Sequence, residues 1–201
     1  MKQIIVASGN QGKIKEVQEI FGDEFQVVSM KELKIEIDVN EDKETFRENA
    51  IKKAETIAKE LKRKNGYQDE VWVLADDSGI EVNALEDFPG VYTKRWFPGT
   101  DRERNLALIA KLEEKLAKEN MDDRRVSFTT AIAVSNGRKI YCELGILEGY
   151  VVKKPRGENG FGFDEIFELE NGKTLAELTD EEKNRVSARK LALSKIKTYL
   201  I

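Results

Sequence analysis

The sequence predicts an α/β fold built on a mixed, curved sheet. Apolar runs that end in polar turns pass directly into segments with a helical apolar period. Two long amphipathic helices lie further along, and an alternating hairpin occupies the second half of the chain. Residues 2–8 read as a buried strand ending in a polar turn. Ile14, Val17, Ile20 and Phe21 then recur at helical spacing, so residues 12–21 form a helix, and residues 25–29 form a second strand. The clearest helix spans 45–64. Its core stripe is Phe46, Ala50, Ala54, Ile57, Ala58 and Leu61, with Thr45 as N-cap and Glu48 completing a capping box. Residues 71–75 form a short apolar strand running into a polar turn at Asp76-Asp77-Ser78-Gly79. A further amphipathic helix covers 101–118. Val126, Phe128, Thr130, Ile132 and Val134 alternate, Asn136-Gly137 signals a hairpin turn, and Ile140, Cys142, Leu144 and Ile146 alternate on the return strand. Residues 157–164 are a glycine-rich loop, and 180–200 close the chain as one or two helical pieces. No repeat, linker or low-complexity tract interrupts the 201 residues, which read as a single domain.

Composition excludes several classes. The net charge is −4 and neither half is strongly basic, which argues against a nucleic-acid binder. No stretch approaches a membrane span, and the apolar run from Ile4 is too short for a signal peptide. The expected location is therefore the cytoplasm. There is one cysteine, Cys142, and no histidine. Histidine bases and soft-metal sites are thus impossible. A catalytic metal must sit on oxygen ligands, which selects Mg²⁺, Mn²⁺ or Ca²⁺, and a general base is expected to be a carboxylate.

Five segments carry candidate chemistry, each with a plainer alternative. Ser8-Gly9-Asn10-Gln11-Gly12-Lys13 links a strand to a helix start, where backbone amides, Asn10 and Lys13 can hold phosphate; it also fits an ordinary turn with a surface lysine. Asp76 and Asp77, after an apolar strand, suit Mg²⁺ binding and proton removal from water, or simply shape a turn. Glu41 precedes the long helix, on which Asn49 and Lys53 share a face that points at phosphate or at solvent. Gly160-Phe161-Gly162-Phe163-Asp164 offers close backbone approach, a stacking ring and an acceptor for a base edge, while at least one phenylalanine belongs to the core. Lys183, Ala188 and Arg189 lie near a helix start, where the two cations bind substrate or decorate a charged helix.

In order, SGNQGK, Glu41 with TFRENAIKKA, ADDSGI, FPGVYTKRW, GFGFDEIF and KTLAELTDEEKNRVSAR resemble the inosine triphosphate/xanthosine triphosphate pyrophosphatase family across nearly the whole chain. The resemblance implies an elongated two-lobed fold with the nucleotide in a cleft between lobes, a homodimer, and hydrolysis of dITP, ITP, XTP and dXTP to monophosphate and pyrophosphate. By position, it implies that Ser8, Gly9, Asn10, Gln11, Gly12 and Lys13 hold the triphosphate with Lys53. It places Mg²⁺, or Mn²⁺ in its stead, on Glu41 and Asp77 with Asp76 adjacent, and makes Asp77 the proton acceptor. Ser78 would touch substrate, and Phe161, Gly162, Phe163, Asp164, Lys183 and Arg189 would line the base and sugar. One position departs: where the family commonly has Ser-His-Arg-Gly, this chain has Ser187-Ala188-Arg189-Lys190. An altered base preference and a nucleotide-binding protein that no longer hydrolyses are the alternatives.

Overall fold

The computed structural model describes residues 2–66 and 70–201. The fold is α/β. Among the described residues, seven strands, β1 (Gln3–Val6), β2 (Gln26–Ser29), β3 (Val71–Val82), β4 (Phe88–Pro89), β5 (Arg125–Ser135), β6 (Ile140–Val151) and β7 (Phe167–Glu168), form one sheet in the order β2-β1-β3-β5-β6-β7, with β4 paired to β3. The sheet is mixed. β1 runs parallel to β2 and β3, whereas β4 is antiparallel to β3 and β7 to β6. Among the described residues, five α-helices accompany it: α1 (Gln11–Phe21), α2 (Phe46–Asn65), α3 (Asp101–Glu119), α4 (Asp180–Val186) and α5 (Ala188–Leu200). The closing segment is thus two helices, divided at Ser187, which takes an extended conformation.

The chain divides into two compact units. Unit 1 comprises residues 1–77, 130–145 and 188–201, and unit 2 comprises 78–129 and 146–187. In unit 1, Ile4 and Val6 of β1 and Trp72 and Leu74 of β3 pack with Val17 and Phe21 of α1 and Leu193 and Ile196 of α5. Ile5, which alternates to the opposite face, is also fully buried, as is most of the apolar stripe of α2. Burial on both faces explains why β1 reads as a continuous apolar run rather than an alternating one. In unit 2, Leu108, Ile109, Leu112 and Leu116 of α3 pack on Ile80 and Val82 of β3, Val126 of β5 and Val151 of β6. Phe88 and Trp96 also join this core, with rings edge-to-face at 5.1 Å, while Tyr92 between them faces outward.

Local chemistry sets the boundaries. Thr45 Oγ1 accepts the Glu48 amide at 3.1 Å. The expected reciprocal bond differs, because the Glu48 carboxylate takes the Thr45 hydroxyl instead, at 2.9 Å. α3 carries a full capping box between Thr100 and Glu103. At the hairpin tip, Asn136 Oδ1 accepts the amides of Arg138 and Lys139, closing the predicted turn.

One boundary differs in a way that matters for chemistry. The strand expected to end at Ala75 continues to Val82, so Asp76-Asp77-Ser78-Gly79 lies inside β3 and is not a turn. Side chains of Asp76 and Asp77 find partners 63 and 28 residues away in sequence, which lets a polar stretch remain extended. No local pattern carries that information.

Candidate active site

The candidate groups of unit 1 gather around β3. Successive strand residues point to opposite faces, so the adjacent aspartates enter different environments. Asp76 is buried and accepts from Lys13 Nζ at 2.5 Å, and Arg189 Nε lies 3.6 Å from the same oxygen. That second distance is too long for a hydrogen bond, so Arg189 acts on Asp76 through charge alone. Burial pushes the Asp76 carboxyl up, but Lys13, Arg189 and Lys53 outweigh it and hold the group well below the usual carboxylate range. Asp77 moves the other way. Its Oδ2 accepts from Asn49 Nδ2 at 2.9 Å. Burial, helped by the like charges of Glu41 and Asp76, pushes the carboxyl up to about 6 against the opposing pull of Asn49 and Lys53. The strand therefore presents a committed anion beside a carboxylate tuned toward neutral pH.

α2 supplies the next layer. Asn49 and Lys53 do share a face, as their spacing predicts, and that face is turned toward β3. Asn49 is buried and takes the Lys43 amide on Oδ1 while donating to Asp77. Lys53 Nζ donates to Glu41 Oε1 at 2.7 Å. Burial lowers its pKa, but Glu41, Asp76 and Asp77 together raise it on balance, so it stays a cation.

The 8–13 segment behaves partly as expected. Asn10 N-caps α1, and its Oδ1 accepts the amides of Gly12 at 2.9 Å and Lys13 at 3.3 Å. Those two amides already have an acceptor, so the helix N-terminus is not an open anion site. Lys13 is not a surface point charge either, since it is buried against Asp76. Ser8 and Gly9, with Lys53, line a cavity of about 530 Å³ that Lys31 and Lys34 also border. A larger cavity of about 930 Å³, lined by Arg124, Arg125, Tyr150 and Lys153 in unit 2, holds none of the candidate residues.

At the start of α5, Ala188 is buried and packs where a Cβ on Gly145 would come within 1.8 Å of its carbonyl oxygen. Next to it, Arg189 is 6% exposed, and its Nη1 donates to both carboxylate oxygens of Glu16, at 3.0 and 3.1 Å. Glu16 was missed by the sequence argument. The signal was present: Lys13 and Glu16 sit three apart on α1, on the side of its apolar stripe, where a charge needs a partner.

Unit 2 contains Ser78, half-buried in β3, and the 160–164 loop with Lys183. The two rings of the loop part company. Phe161 is 42% exposed, while Phe163 is 5% exposed and belongs to the core, so Phe163 is not available to stack on a ligand. Asp164 also differs from expectation. Its Oδ2 accepts the Phe161 amide at 2.7 Å and Lys183 Nζ at 2.6 Å within a buried setting, which makes it an anchor of the loop and not a free reader of a base edge. Lys183 Nζ sits 4.5 Å from the Phe161 ring centroid. The lone thiol, Cys142, is pushed up to about 11 by burial and is no nucleophile at neutral pH. Among the described residues, no three acidic or cysteine side chains close into a metal cage, and no helix is long and apolar enough to cross a membrane.

Comparison with known proteins gives a consistent result. A family model described as the Ham1 family matches residues 4–199. The dITP/XTP pyrophosphatase of Caldanaerobacter subterraneus subsp. tengcongensis is 42% identical, with the alignment covering 100% of this chain and 97% of that protein. The dITP/XTP pyrophosphatase of Bacillus subtilis is 38% identical, covering 100% and 98%. Among solved structures, a HAM1 protein from Coxiella burnetii superposes with a TM-score of 0.86 at 37% identity, covering 100% of this chain and 98% of that one. The Ham1 protein of Staphylococcus aureus gives 0.82 at 38% identity, covering 99% and 98%.

Proposed function

The chain belongs to the Ham1 family, and from that premise we propose that it hydrolyses aberrant purine nucleoside triphosphates, dITP, ITP, XTP and dXTP, to the monophosphate and pyrophosphate. The observation that carries this reading is Asp77: a carboxyl raised to about 6, held by Asn49 and close enough to Lys53 and Glu41 to feel both charges. Cleaving the α–β anhydride bond needs a proton acceptor for water and cations for the phosphates. Asp77 takes the water's proton, and Asn49, which donates to its Oδ2, orients the carboxylate. Lys53 and the polar groups of Ser8, Gly9, Asn10 and Gln11 hold the triphosphate. Lys13 and Arg189, paired with Asp76 and Glu16, hold Asp76 as a fixed anion behind the site. Phe161 supplies the ring for a purine, with Lys183 and Asp164 holding that ring and loop. Ser78 lies beside Asp77 in the strand. The whole of 1–201 acts as one pyrophosphatase domain, in the cytoplasm, as a homodimer.

The donors suit Mg²⁺, with Mn²⁺ as substitute. They are all oxygen, and Glu41 and Asp76 both raise Asp77, the response of a carboxylate group that favours a cation. Glu41 and Asp77 would hold the ion, with Asp76 adjacent but committed to Lys13. Mg²⁺ commonly uses one or two carboxylates and completes its shell with substrate phosphates, so a protein cage is not required. When bound, the ion would neutralise charge on the phosphates.

A second reading is favoured by Ala188. A buried methyl stands where the family resemblance leads one to expect histidine, so base selection rests on other groups and the preferred base is shifted. One assay separates the readings: pyrophosphate release from a nucleotide panel, with Mg²⁺ and with EDTA, for the wild type and Asp77→Asn. The expected outcome is metal-dependent release from ITP and XTP, reduced roughly 10³-fold or more in the variant. Release from another base set would move the specificity, and binding without release would sink the enzymatic reading.

A further inference from the structure

One turn of α3 grips the middle of the 160–164 loop. Asp101 and Asn105, four apart, lie on the same helix face, and the Thr100–Glu103 capping box fixes the phase of that face. Asp101 Oδ2 accepts the Gly162 amide at 2.9 Å, and Asn105 Nδ2 donates to the Gly162 carbonyl at 2.8 Å. Both polar groups of a single residue are thus held from one helix. Asn105 Nδ2 also donates to Glu165 Oε1 at 2.8 Å, and Arg102 Nη1 donates to Glu165 Oε2 at 2.6 Å.

We propose that Asp101 and Asn105 are positioning residues for recognition of the heteroaromatic base, acting through Gly162 on the ring of Phe161. This rests on the proposed nucleotide-hydrolysing function. Gly162 adopts φ +65°, with open space where a Cβ would stand, so packing does not fix its conformation and hydrogen bonds must. It separates a ring buried in the core, Phe163, from a ring that faces outward, Phe161. Holding the peptide between them decides the direction of the outward ring. Asn105 also breaks the pattern of its own helix. Leu108, Ile109, Leu112 and Leu116 continue the stripe on which it lies, yet an amide occupies that position, is 1% exposed, and leaves its Oδ1 without a partner. A stripe position serving packing alone would carry an apolar side chain.

The test uses the full-length protein with Mg²⁺ and ITP, and compares Asp101→Ala, Asp101→Asn and Asn105→Ala. Asp101 is largely exposed, so its variants keep the fold, and Asn at 101 retains an oxygen that can accept the Gly162 amide. Asp101→Ala is expected to raise KM about 5–10-fold with kcat within about twofold, and to speed amide exchange across 160–164. Asp101→Asn should remain within about twofold of wild type, and Asn105→Ala should exceed Asp101→Ala in the same direction. Unchanged KM and unchanged exchange in Asp101→Ala, with or without a lower Tm, would overturn the proposal by making the contacts purely structural. If wild type releases no pyrophosphate from any nucleotide, the enzymatic reading fails. The exchange measurement then still reports whether the grip sets the loop.

Discussion

The two units hold their candidate groups by different physics. In unit 1 they are locked by charge: Lys13 on Asp76, Lys53 on Glu41, Arg189 on Glu16. In unit 2 the loop that carries Phe161 is locked mainly by hydrogen bonds to backbone, from Asp101, Asn105 and the Asp164 carboxylate. Charge pairs prepare a field, which an anionic triphosphate can use without reorganising the protein. Backbone bonds prepare a shape, which a planar base can use. The first arrangement fails badly when one ion is removed, because its partner is left buried and uncompensated. The second fails gently, because a loop with fewer bonds relaxes. Within unit 1 the same contrast recurs across one peptide bond, since Asp76 is held low by cations and Asp77 is held high by burial.

The largest effect on stability is expected at Asp76. Asp76→Asn leaves Lys13 and Arg189 without their shared counter-charge and should cost about 3–5 kcal/mol, read as a lower midpoint in urea. The pH dependence gives the sign independently. The folded pKa of Asp76 lies below its ordinary 3.8, so the unfolded chain binds the proton first as pH falls. Its contribution is complete above the ordinary value and is lost as pH drops through the folded one. Wild type should therefore lose stability more steeply below about pH 4 than Asp76→Asn does. Equal acid slopes in the two proteins would mean that Asp76 is not the anion the cations rest on.

Asp77 should respond in the opposite sense. Its folded pKa of about 6 exceeds the ordinary 3.8, so between those values the native state keeps a proton that the unfolded chain has released. Stability then falls as pH rises across the window, and the penalty persists at pH 7. Asp77→Asn removes the charge while its amide oxygen can still accept from Asn49. In EDTA at pH 7 the variant should gain about 1–2 kcal/mol, or roughly 3–6 °C in Tm, even as turnover collapses. The gain should vanish below pH 4. A variant less stable than wild type at pH 7 would show that the Asp77 carboxylate carries no strain in the folded protein.

Much of the fold was legible because it is local. Periodicity marked α1, α2, α3 and the β5–β6 hairpin, and Asn136-Gly137 marked the turn. The site was legible as a parts list but not as a wiring diagram. Asp76-Asp77-Ser78-Gly79 carries turn residues, so the continuation of β3 through it depends on Lys13 and Asn49, distant in sequence. Asp164 looks like an exposed acceptor in a glycine-rich loop, and only Lys183 and the Phe161 amide reveal it as an anchor. Glu16 and Asn105 were overlooked for the same reason: each is a polar residue at a buried helical phase, which periodicity scores as noise and structure shows as a contact.

The smallest effect separates ring from scaffold in unit 2. Phe161→Leu keeps an apolar side chain of similar bulk at a position that is 42% exposed, and leaves the loop's backbone bonds in place. What it removes is an aromatic face. Stacking of a base on such a face contributes about 1–3 kcal/mol, and leucine recovers part of that through contact area. KM for ITP should therefore rise about 3–5-fold, with kcat nearly unchanged and Tm within about 1 °C of wild type. Loop variants at Asp101 should shift both KM and amide exchange, whereas Phe161→Leu should shift KM alone. If Phe161→Leu also speeds exchange across 160–164, the ring holds the loop through Lys183 rather than the loop holding the ring, and the direction of causation in unit 2 reverses.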